Sequence, residues 1–130
     1  MRAATCLLVI AAVSCGCSPA VKSQGQHGVT ASYSGRTLSA RLPAEAGVPV
    51  VAAAMDKVLR DRGYLVASSS VTADTATIVA KAPRVDNYPR VTLTARTGAD
   101  ATVVTIMNEP FGDQEQCRSL LDAVLRELGL

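Results

Sequence analysis

The sequence predicts a two-layer α+β sandwich of order βαββββα, with two helices packed on one face of an antiparallel-rich sheet. Two amphipathic helical patterns and several runs of alternating apolar and polar residues carry this prediction. At 130 residues the chain has room for one small domain and a targeting segment. The core must use small side chains, since the chain contains no Trp and only one Phe.

The first strand and the first helix lie between Gly35 and Gly63. In GRTLSARLP, the apolar residues alternate with polar ones, which is typical of a half-buried strand, and Pro43 ends it. In VPVVAAAMDKVLRDRG, the early Pro49 and the closing Gly63 bound a helix. The apolar residues at helical spacing in that segment are Val48, Val51, Met55, Val58 and Leu59.

Four strands follow this helix. The first runs from Tyr64 to Val71, and the short connection at residues 72–74 predicts a hairpin into the second. Alternation in DTATIVAKA, PRVTLTAR and ATVVTIM predicts that each of these strands buries one face. The residues predicted to point inward are Ala76, Ile78, Ala80, Val91, Leu93, Ala95, Val104 and Ile106.

The last segment, FGDQEQCRSLLDAVLRELGL, predicts the second helix. Asp113 and Gln116 have the spacing of a capping box, Gly112 permits a sharp turn, and Phe111 is expected to pack as a hydrophobic staple. The apolar stripe is formed by Cys117, Leu120, Leu121, Val124, Leu125 and Leu128. Its position in this stripe predicts a buried thiol at Cys117 rather than a nucleophile.

Residues 1–17 have the pattern of a lipoprotein signal peptide. An uncharged run of ten residues, 4–13, is too short to span a bilayer and leads into two cysteines preceded by small residues. Both AVSC and SCGC resemble the bacterial lipobox, so cleavage and acylation are expected at Cys15 or Cys17, with Cys17 favoured. Ordinary secretory cleavage, a metal site and a redox pair are the alternatives, but two close thiolates lack further ligands and the spacing differs from a redox motif.

Residues 18–29 are rich in Ser, Gly and Gln and predict a flexible tether that carries His27, and residues 30–130 are expected to form one domain. A lipid on the N-terminal cysteine would join the protein to a membrane. Neither cysteine is followed by Asp, so no inner-membrane retention signal is present. The expected location is the cell envelope, on the outer membrane facing the periplasm.

The chain resembles a family of small bacterial lipoproteins with a domain of unknown function. The resemblance covers about residues 36–130 and is most specific in FGDQEQCRSLLDAV, with weaker support from RGYLVASSS. The sequence departs from the family in having Asn108, Glu109 and Pro110 where a more apolar strand end is usual. The resemblance implies this fold and a lipid anchor, and it implies no catalytic residues. The element order is also similar to helix-grip domains of envelope-assembly lipoproteins.

Basic residues mark one candidate binding face, predicted at Lys81, Arg84, Arg90 and Arg96. It could contact an envelope protein or a wall polymer, although such a sheet face is often merely solvated. His27 is the only histidine and lies in the predicted tether, so no Ser-His-Asp set, cofactor or metal site is predicted. The net charge of +2 disfavours nucleic acid as a partner. The expectation is a non-catalytic binding or scaffold module; the alternative is a secreted soluble enzyme or inhibitor that uses residues 81–96.

Overall fold

The structure, a computed structural model, describes residues 18–83 and 90–130, and within them it contains seven strands and two helices. The strands are β1 (Ala20–Gln24), β2 (Val29–Ser34), β3 (Thr37–Pro43), β4 (Leu65–Val71), β5 (Thr75–Lys81), β6 (Arg90–Thr97) and β7 (Ala101–Glu109). The helices are α1 (Val48–Asp61) and α2 (Gln114–Leu128). All neighbouring strands are antiparallel, and they form one sheet in the order β1-β2-β3-β7-β6-β5-β4.

The predicted fold class is confirmed, since β3 through α2 follow the order βαββββα. The predicted tether over residues 18–29 is corrected, because this segment holds β1, a turn with His27, and the start of β2. β1 pairs with β2 from Ala20, opposite Tyr33, to Gln24, opposite Val29. Backbone pairing holds β1 in place although most of its side chains are exposed, so the strand has no apolar alternation to reveal it.

Both helices lie on one face of the sheet and bury it. α1 packs against β4, β5 and β6, α2 packs against β1, β3 and β7, and the two helices contact each other. Every strand residue predicted to point inward is buried, as are the apolar residues of both helical stripes up to Leu125. Burying apolar surface contributes about 25 cal/mol per Å², so this shared core is the main source of stability.

The start of α2 differs from its predicted form. Asp113 caps the helix, as expected, by accepting a hydrogen bond of 3.0 Å from the Gln116 backbone amide. The prediction that Phe111 packs as a hydrophobic staple is wrong, because this side chain is 90% exposed. Gly112 has a positive φ of 79° and lies against the Tyr33 hydroxyl, so Tyr33 occupies space beside the helix start.

Leu93→Ala should destabilise the protein by about 2–5 kcal/mol, because it removes a fully buried side chain from the interior strand β6. Urea unfolding followed by circular dichroism measures this change. Leu65→Ala removes the same atoms from a position that is 69% exposed and should cost less than about 0.5 kcal/mol. Equal losses in the two variants would contradict the assigned burial of the sheet.

Candidate functional site

The face of the sheet turned away from the helices, here called the open face, presents hydroxyl groups in register. Strand pairing aligns one Ser or Thr from each of six neighbouring strands in a single row. This hydroxyl row consists of Ser70, Thr77, Thr94, Thr105, Ser39 and Ser32. Neighbouring strands lie about 4.8 Å apart, so the row crosses about 24 Å of the sheet.

Further side chains extend the open face on both sides of the hydroxyl row. On one side, Val79, Thr92, Met107 and Thr37 are aligned across four strands. On the other side, Arg96 and Val103 join Thr94 and Thr105 around a small depression of about 120 Å³. The open face is therefore a broad surface with hydrogen-bonding groups at its centre and a small depression beside them.

The predicted basic residues do not form one cluster. Lys81 and Arg90 are opposite each other on β5 and β6. Arg96 lies six residues farther along β6, which corresponds to about 20 Å in an extended strand. Arg84 lies outside the described residues. The positive charge therefore stands at both ends of the strands that carry the hydroxyl row.

A second basic residue accompanies Arg96 at its end of the sheet. Arg41 and Arg96 both pair with Val103 on β7, from its two sides. The Arg41 guanidinium donates a hydrogen bond of 2.6 Å to Asp100, and both side chains are largely exposed. An exposed ion pair of this kind adds at most about 1 kcal/mol to stability, so it can exchange its carboxylate partner at low cost.

A partly buried chain of polar side chains joins β7, α2 and the segment between α1 and β4. The Asn108 side chain, 4% exposed, donates to the Gln116 side-chain oxygen, and the Gln116 amide nitrogen donates to the Tyr64 hydroxyl. The sequence did not reveal this use of Gln116, whose side chain was expected to complete the capping box. The polar Asn108, at a position where a more apolar strand end was expected, thus has a hydrogen-bond partner on α2.

A clasp of polar side chains fastens β1 to α2. Gln24 donates to the Asp122 carboxylate at 2.8 Å and to the Arg118 carbonyl at 2.9 Å. Arg118 in return donates to the Gln24 side-chain oxygen and to the Ala20 carbonyl, both at 2.9 Å. Because Gln24 is buried, these bonds satisfy polar groups that would otherwise destabilise the fold. We refer to this arrangement as the β1 clasp.

Cys117 lies in the core, as predicted. Its side chain is fully buried, and its Sγ lies 3.7 Å from the Ile106 carbonyl oxygen, which it can reach as a weak donor. Burial, reinforced by the charge of the Asp113 carboxylate, raises the pKa of the Cys117 thiol to about 11. A thiol that stays protonated is a poor nucleophile, so Cys117 serves packing.

The predicted lipidation residues Cys15 and Cys17 lie outside the described part of the chain. Within residues 18–83 and 90–130, no helix is long and apolar enough to cross a membrane. In the same residues, no three His, Cys, Asp or Glu side chains come close enough to hold a metal ion. The open face is the most extended candidate for a binding surface in the part of the chain that the structure describes.

The raised pKa of Cys117 should make stability fall at high pH. The unfolded thiol ionises near 9.0 and the folded one near about 11, so the unfolded state loses its proton first as the pH rises. The contribution is constant below about pH 9 and is lost between 9 and 11. Chemical unfolding at several pH values measures it, and Cys117→Ala should show a smaller decrease than the native chain. Identical pH dependence in both proteins would rule out a buried, protonated thiol.

No family model matches the sequence, and no curated protein matches it. The resemblance of FGDQEQCRSLLDAV to a lipoprotein family therefore stays a prediction. The features that bear on function are the geometry of the open face and the residues of the N-terminal segment.

Proposed function

We propose that the protein is a lipid-anchored, non-catalytic binding module of the cell envelope, whose open face binds an acidic wall polymer. The observation that carries this proposal is the hydroxyl row across six strands, with basic residues at both ends of those strands. A broad surface of this kind suits an extended partner rather than a small molecule, because small ligands are usually held in concave pockets.

The chemistry of the open face favours a polymer that carries both hydroxyl and carboxylate groups. Ser and Thr hydroxyls donate and accept hydrogen bonds, so the row can match sugar hydroxyls along its length. Arg96 and Arg41 offer guanidinium groups that suit carboxylates. Each exposed contact is weak, but a repeating chain can engage many of them at once and gain affinity through multivalency.

The N-terminal segment supports the anchoring part of the proposal. The apolar run and the two lipobox-like cysteines are typical of a chain that is acylated and retained on a membrane. Two or three acyl chains hold a protein stably, because each buried methylene contributes about 0.8 kcal/mol. The proposed location is the outer membrane facing the periplasm, where the wall lies within reach of an anchored domain.

Removal of residues 1–17 should release the protein from membranes into the soluble fraction, because it removes both candidate acylation sites. Fractionation of expressing cells measures the release. Cys17→Ser and Cys15→Ser serve as matched single variants, and intact mass of the extracted protein identifies the acylated cysteine. Membrane retention of the truncated chain would contradict the lipid anchor.

Arg96→Gln should weaken binding to the isolated wall polymer about three-fold or more, since it removes a charge-assisted contact on the open face. Co-sedimentation of the protein with insoluble wall material measures the affinity. Arg126→Gln, a matched neutralisation on α2, should leave the affinity unchanged because this residue lies on the helical side of the sheet. Lack of sedimentation by the native protein, or equal effects of the two variants, would overturn the choice of partner.

A further inference from the structure

We infer that one end of the domain is a membrane-contact surface, where Phe111 and Leu65 enter the interfacial region of the bilayer that holds the lipid anchor. This anchor end comprises the start of β1, the β2–β3 turn at residues 35–36, the loop at residues 110–113, and the start of β4. The inference rests on the proposed lipid anchor. Beyond the acyl anchor, the folded domain itself contacts lipid in a defined orientation.

The position of β1 brings this end of the domain close to the membrane. Three residue steps separate Cys17 from Ala20, and an extended chain covers at most about 3.6 Å per residue, so the link spans no more than about 11 Å. Starting from Cys15, five steps span no more than about 18 Å. The β1 clasp holds the Ala20 carbonyl against Arg118, which prevents β1 from serving as additional tether.

Ala20 emerges beside the loop that carries Phe111. Ala20 is the strand partner of Tyr33, and the Tyr33 hydroxyl lies 2.6 Å from the position that a Cβ atom would take at Gly112. Arg36 in the β2–β3 turn donates a hydrogen bond of 3.0 Å to the Pro110 carbonyl and so supports the same loop. The fold therefore holds Phe111 at the end of the molecule from which the anchored segment leaves.

Two of the largest exposed apolar side chains lie at the anchor end. Phe111 is 90% exposed and Leu65 is 69% exposed. Leu65 belongs to the cross-strand row that continues through Lys81 and Arg90 to Glu109, two residues before Phe111. Three strand spacings separate Leu65 from Glu109, or about 14 Å, so both apolar residues can reach one flat surface.

The connections at the anchor end differ in charge from those at the opposite end of the strands, here called the far end. At the far end, the described connections carry three acidic residues and no Lys or Arg; the acidic residues are Glu45, Asp74 and Asp100. At the anchor end, the described connections carry Arg36 and Arg62, and their one acidic residue, Asp113, is engaged as a helix cap. Arg41 and Arg96 also lie near the far end, on the strands β3 and β6. The connections alone therefore favour contact of the anchor end with an anionic bilayer, and the short link from the acylated cysteine sets the orientation.

Phe111→Trp tests this contact directly, because the native chain contains no tryptophan. The acylated full-length product is reconstituted into vesicles of phosphatidylethanolamine and phosphatidylglycerol, with and without lipids brominated in the acyl chains. We expect a blue shift of the emission on reconstitution and quenching by the brominated lipids several-fold stronger than for Val50→Trp. Val50 is a matched control, since it is 58% exposed in the first turn of α1, which follows the far-end connection at residues 44–47.

The outcomes separate the inference from the proposal on which it rests. A full-length product that carries no acyl chain, as judged by its intact mass, and does not associate with the vesicles would show that the lipid anchor itself is wrong. Acylated, vesicle-bound protein with equal quenching in the Phe111→Trp and Val50→Trp variants would overturn the membrane-contact surface alone. A blue shift of the Phe111→Trp protein that requires added envelope proteins, and does not occur with lipid alone, would also overturn it and assign this end to a protein partner. Reduced quenching when phosphatidylglycerol is omitted would support the contribution of charge.

Discussion

Burial of one face of the sheet beneath α1 and α2 is the constraint on which the rest of the structure depends. Side chains alternate between the two faces of a strand, so each apolar residue that enters the core places its neighbours on the opposite face. The buried Leu93 and Ala95 flank Thr94 on β6, and the same alternation in β5 and β7 places Thr77 and Thr105 on the open face. The hydroxyl row is therefore the direct counterpart of the core, aligned by the strand register that the core requires.

The edge strand β1 is held in place by polar contacts rather than by burial of apolar side chains. β1 contributes almost no apolar surface to the core, and its position depends on backbone pairing with β2 and on the β1 clasp. Its turn region also contacts the end of the chain, since the Gln26 amide donates to the Leu130 carbonyl at 2.9 Å. These polar contacts shorten the free segment after the cysteines. With the proposed lipid anchor in place, the fold itself would therefore set the orientation of the domain on a membrane.

Several residues at the start of α2 make contacts that fix the beginning of the helix. Asp113 satisfies an unpaired helix amide, while Gly112 adopts a positive φ and makes room for the Tyr33 hydroxyl. Asn108 and Gln116 link the end of β7 to α2 and to Tyr64 beyond α1. Phe111 lies on the surface, in a loop held by the contacts of its neighbours Pro110, Gly112 and Asp113.

The sequence by itself determined the fold class, both helices, five of the strands and the inward-facing residues, because periodicity of apolar residues reports directly on burial. It also predicted the Asp113 cap and the buried Cys117, whose signals are local. It did not reveal β1 and β2, the exposure of Phe111 or the partners of Gln116. These features depend on which surfaces the folded chain brings together. The edge strand β1 is held by its neighbour β2 and by Arg118 on α2, and Tyr33, distant in sequence, lies against Gly112 beside the exposed Phe111. Only the tertiary structure could decide them, since long-range contacts leave no periodic trace in a short polar segment.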